Sequence, residues 1–93
     1  VETTNKTLTM ADLESVFNQA IGLGVNYIGV RIRMQGFDEP EVIINPKVNF
    51  ETKLEYYKRA YNDDLTLKTF NGIKIVGFEY GDSFNEVADW LLD

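Results

Sequence analysis

Apolar residues recur along this chain with two different periods, and the switches between them mark out its elements. Met10, Leu13, Phe17, Ala20 and Ile21 fall at helical spacing, with Val16 widening the stripe and Gly22 and Gly24 following as stop signals. Thr9 with Asp12 three residues on has the form of a capping box, and Leu8 can staple onto Leu13. From 25 to 34 the period changes to two: Ile28, Val30, Ile32 and Met34 alternate with Tyr27, Gly29, Arg31 and Arg33, as in a half-buried strand. A polar stretch, Gln35 to Pro40, leads to a second short β-type run over 41–45, which Pro46 ends because proline has no donor for a continuing ladder.

Asn49 is placed to cap a second helix in which Phe50, Leu54, Tyr57 and Tyr61 form one face and Glu55 can support Arg59 one turn on. After Asn62-Asp63-Asp64, two further β-type runs flank Asn71-Gly72, the dipeptide that type I′ turns favour, so a hairpin of strands 65–70 and 73–80 is expected. Ser83 with Glu86 repeats the capping-box form ahead of Phe84, Val87, Ala88 and Leu91, which predicts a closing helix. The order α-β-β-α-β-β-α predicts an α+β fold, a roughly four-stranded antiparallel sheet with helices packed on one face. Residues 1–93 are expected to make a single small globular domain with 1–8 as a flexible lead-in. The expected core includes Phe17, Ile32, Leu54, Tyr57, Val76, Phe78 and Leu91.

Composition narrows the chemistry. The chain has 93 residues, 44% of them hydrophobic and 13% aromatic, enough to bury a core without disulfide or metal staples. It contains no histidine and no cysteine, which removes the commonest bases, nucleophiles and transition-metal ligands together. A non-enzymatic protein is expected, with no cofactor and no metal. The formal charge of -6 disfavours direct attraction to nucleic-acid phosphate or an anionic membrane and favours a basic protein partner; self-association is left open. The opening VETTNKTLT holds one lysine and no hydrophobic stretch, unlike a secretory signal, so the cytoplasm is the expected compartment.

Four short features have the look of chemistry. Gly81-Asp82-Ser83-Phe84 resembles the nucleophile block of GDSL-type hydrolases, but that family supplies a histidine base and this chain has none, so Ser83 reads as a helix cap. Gly22-Leu23-Gly24 follows a helix and precedes a strand, the reverse of a dinucleotide-binding loop. The adjacent pairs Asp38-Glu39 and Asp63-Asp64 lie in expected loops, where solvated charge is the simpler reading. Tyr27, Arg31 and Arg33 share one face of the first strand, and an aromatic-plus-arginine face can stack single-stranded nucleic acid.

Charge is distributed unevenly: residues 1–46 carry six acids and three bases, 47–74 four and six, and 75–93 five and none. At about 100° per residue, Asp82, Glu86, Asp89 and Asp93 fall in one stripe opposite Phe84, Ala88 and Leu91, with Trp90 beside it. The last two acids oppose the helix dipole and repeat like charge at helical spacing, each at a cost of about a few tenths of a kcal/mol. A stripe kept at that cost suggests a recognition surface with Trp90 as anchor. Carboxylates three and four residues apart advance roughly 4.5 and 6 Å along the helix, not far from the phosphate spacing of a nucleic-acid strand.

The stretch from Phe50 to Tyr80, with KLEYYKRAYNDDLTLK and IKIVGFEYG, resembles small uncharacterised proteins carried by prophages and plasmids of low-GC Gram-positive bacteria. The resemblance implies a small acidic protein of phage or mobile-element type that binds and blocks a host factor, including enzymes that handle nucleic acid. The sequence reading is thus a protein that docks on a basic surface of its partner through Asp82, Glu86, Asp89, Trp90 and Asp93. The alternative is a nucleic-acid-binding regulator using Tyr27, Arg31 and Arg33.

Overall fold

The first helix begins where its cap is written. In the computed structural model, which describes residues 8–88, α1 spans Met10–Leu23, and the Asp12 carboxylate accepts the Thr9 backbone N–H at 2.9 Å, satisfying a donor the helix cannot. Gly24 closes the helix at φ +74°, donating to the Ala20 and Ile21 carbonyls at 3.0 and 3.2 Å, while the Val25 N–H also reaches Ala20. Leu13, Phe17 and Ala20 are buried along its inner face. Ile21, expected on that stripe, is 42% exposed, since at about 100° per residue it falls on the flank of the line through Leu13, Phe17 and Ala20.

β1 (Tyr27–Met34), β2 (Glu41–Pro46), β3 (Thr66–Leu67) and β4 (Phe70–Gly81) form one antiparallel four-stranded sheet in the order β2-β1-β4-β3. β1 and β4 are central, so the chain must return from one sheet edge to the other, and α2 (Phe50–Ala60) makes that return. Asn49 does not cap α2 through its side chain; a 3-10 turn, Lys47–Asn49, feeds the helix instead, with the Phe50 N–H on the Lys47 carbonyl. Ile28, Val30 and Ile32 face α1 and α2, and the Phe17 ring meets Phe50 and Tyr57 edge-on at 6.1 and 6.0 Å. Each fully buried side chain of this size contributes roughly 1.5–3 kcal/mol.

Of the expected core, Phe17, Ile32 and Tyr57 are buried, Leu54, Val76 and Phe78 are half-buried, and Leu91 lies outside the described residues. Val76 falls where the register of β4 slips by one, between Arg31↔Gly77 and Ile32↔Ile75, so Ile75 takes the core position instead. Asn45 is buried beneath the helices, its amide donating to the Ile28 carbonyl at 3.1 Å.

The second hairpin differs from expectation. Its turn is Lys68-Thr69, between Leu67 and Phe70, and Asn71-Gly72 lies within β4 with no positive φ. The long ladder to β1 overrides the local turn preference: Met34 pairs with Ile73, and the Gln35 N–H reaches the Gly72 carbonyl at 2.7 Å, so β4 must stay extended there. A Cβ at Gly72 would stand 2.6 Å from Gln35 Oε1 and from Phe70 Cζ, so the ends of these two exposed side chains would have to move aside to admit one. The positive φ belongs instead to Leu65, at +71° and fully buried. Its N–H closes a turn on the Asn62 carbonyl at 2.8 Å, and the Ile75 N–H binds its carbonyl at 3.0 Å.

Candidate interaction surface

The face of the sheet away from α1 and α2 carries Tyr27, Gly29, Arg31 and Arg33 from β1, Val42 and Ile44 from β2, and Gly77, Glu79 and Gly81 from β4. Glycines oppose both Tyr27 and Arg31 in the ladder, leaving a floor with little side-chain relief. Immediately after β4 the chain turns through Asp82-Ser83, with the Asn26 side-chain amide donating to the Asp82 carbonyl at 3.0 Å, and enters α3 (Phe84–Ala88). The Val87 N–H points back to the Ser83 carbonyl at 3.4 Å, so Ser83 stands at the helix start as its cap position requires.

α3 packs across β2, β1 and β4 on this second face. Val87 is fully buried there yet is not part of the main core cluster, and the Phe84 ring meets Tyr27 edge-on at 6.1 Å with 54% of the residue exposed. α1 and α2 therefore share one face as the fold class expects, and the short α3 lies on the other.

That placement sets the turn at Asp82 and the start of α3 on the same sheet face as Tyr27 and Arg31. Of the acidic set, Asp82 is exposed at the turn, Glu86 is described in its backbone only, and Asp89, Trp90 and Asp93 lie outside the described residues. Of the strand set, Tyr27 and Arg31 are half-buried on the face that α3 crosses, and Arg33 is exposed beyond it. A single nucleic-acid strand stacking on Tyr27 would do so beside Phe84, whose ring already contacts it at right angles.

Away from this face, Asp64 accepts the Thr66 hydroxyl at 2.6 Å and the Thr66 N–H at 3.1 Å, which hold its carboxyl below the usual range. Its task is to fix the turn ahead of β3, which accounts for one half of the Asp63-Asp64 pair. Asp38 and Glu39 are exposed in the loop before β2. Among the described residues no group of three or more acidic side chains is arranged to hold a metal ion, and no helix is long and apolar enough to cross a membrane.

Burial pushes the Tyr57 hydroxyl up to about 12, partly offset by the neighbouring Asn45 amide. Sequence reasoning missed a groove of about 450 Å³ between the end of α1 and the start of α2, bordered by Ile21, Lys47, Val48 and Glu51. Lys47 Nζ meets the Gly24 carbonyl there at 3.4 Å. The only local signal was Val48, an apolar residue stranded between Pro46 and the helix, and it is 85% exposed. Set against protein-family models, characterised proteins and solved structures, the chain matches none of them.

Proposed function

We propose that this is a non-enzymatic interaction protein of phage or mobile-element type whose acidic C-terminal segment, Asp82, Glu86, Asp89 and Asp93 with Trp90, docks on a basic surface of a protein partner in the cytoplasm. The observation that supports this reading is the seating of α3: Val87 turns inward to the sheet while Asp82 remains in solvent. On the helical period of the sequence the acids of 82–93 fall away from Val87, and Asp82, the one whose side chain is described, is exposed. Five acids and no base between residues 75 and 93 make the attraction one-signed, which speeds encounter with a basic surface and rejects acidic ones.

The test is affinity capture by the immobilised full chain, followed by salt elution. Captured proteins are expected to be basic, to elute with salt, and to be lost by Asp89→Lys with Asp93→Lys. Direct retention of single-stranded oligonucleotide, abolished by Arg31→Ala with Arg33→Ala, would favour the strand-face alternative instead.

A further inference from the structure

The sheet has two outer edges, and they are treated differently. On β2 the edge is blunted: Pro40 precedes the strand and Pro46, which has no N–H, ends it. On β4 the outer side is paired only at its beginning, by β3 at Phe70 and Lys74 and by the Leu65 carbonyl at Ile75. From Val76 to Gly81, among the described residues, no strand lies against it, and the segment holds no proline and no lysine.

Two hydrogen bonds fix which backbone groups face out. The Lys47 N–H binds the Asn26 carbonyl, so even-numbered residues of β1 point to β2 and odd-numbered ones to β4. Tyr27, Gly29 and Arg31 therefore exchange hydrogen bonds with Gly81, Glu79 and Gly77, and the N–H and C=O groups of Phe78 and Tyr80 point away from the sheet. The Ile75 N–H, turned outward to Leu65, gives the same result once the slip at Val76 is counted.

We propose that this edge accepts an extended strand from a partner protein, of sequence apolar–basic–apolar, with the basic residue opposite Glu79. The proposal rests on the basic partner inferred above and specifies how part of it is held. Phe78 and Tyr80 face the core side, so their cross-strand neighbours are apolar. Glu79 projects from the other face, and among the described residues no hydrogen bond or ion pair engages its carboxylate. A second copy is the poorer occupant: the antiparallel register that satisfies both Phe78 and Tyr80 sets Glu79 directly against its own counterpart, and each chain carries a charge of -6. A lysine or arginine there turns the same contact attractive.

The experiment is amide exchange by NMR on the full chain, free and with an acetylated, amidated hexapeptide of alternating valine and lysine. In the free chain, Phe78 and Tyr80 amides are expected to exchange at least about tenfold faster than those of Gly77 and Glu79, and the peptide is expected to remove that difference. A valine–glutamate peptide should leave wild type unchanged and protect Glu79→Lys. Tyr80→Pro, which removes an outward donor without touching the ladder to β1, should fold and fail to bind the peptide. Protection of Phe78 and Tyr80 already present in the free chain, or equal response to both peptides, would overturn the proposal. Capture of a basic partner that survives Tyr80→Pro and Glu79→Lys but is lost on reversing Asp89 and Asp93 would overturn it while leaving the proposed function standing.

Discussion

Replacing Leu65 by glycine should leave the protein at least as stable as replacing it by alanine, the reverse of the usual order. Leu65 is fully buried and held at φ +71° by two hydrogen bonds of its own backbone, which both variants retain. Both lose the same buried leucine side chain, worth about 2–5 kcal/mol in a core. They differ in the backbone: a residue with a Cβ pays about 1–2 kcal/mol in the left-handed region, from which glycine is exempt. Glycine gives back about 0.5–1 kcal/mol through the greater freedom of its unfolded chain. The net is parity or an advantage for Leu65→Gly of up to about 1.5 kcal/mol. Urea titrations followed by circular dichroism measure it, with Leu13→Ala and Leu13→Gly on the buried face of α1 as the control. There glycine should be the worse by about 0.8–1 kcal/mol. If glycine trails alanine at position 65 by as much as it does at 13, the left-handed conformation and the strain assigned to it are refuted.

Phe17→Ala should cost about 3–5 kcal/mol in the same titrations, since its ring is enclosed by Phe50 and Tyr57. Asp12→Ala should cost about 0.5–2 kcal/mol through loss of the Thr9 capping contact. Tyr57 carries a pH signature: its folded pKa of about 12 lies above the ordinary value of 10.0, so its contribution is complete below pH 10 and lost between about pH 10 and 12. Alkaline unfolding should therefore set in across that window and be weaker in Tyr57→Phe, measured by circular dichroism against pH.

Much of the fold was legible because local and global preferences agree. The Thr9–Asp12 box, the glycine stop at 24 and the alternation of β1 each state a local preference that packing then rewards. Asn71-Gly72 shows the opposite case: its turn preference concerns two residues, whereas the ladder from β1 through Gln35 engages the length of β4. Leu65 could not be foreseen, because leucine has no tendency toward positive φ and is held there by a buried site and a turn built around Asn62. That α3 would cross to the second sheet face and bury Val87 there was not legible, because the floor it meets sets Gly29 of β1 beside Gly77 and Gly81 of β4, a neighbourhood that only the ladder creates.

The measurement that bears most directly on the proposed function is stability and partner capture determined side by side on the chain with Asp89→Lys and Asp93→Lys. Surface charges change stability by no more than about 0.5 kcal/mol each, whereas a one-signed recognition surface cannot survive inversion. The expected result is a nearly unchanged urea midpoint with capture of the basic partner abolished. Capture undiminished in the charge-reversed chain would contradict the account.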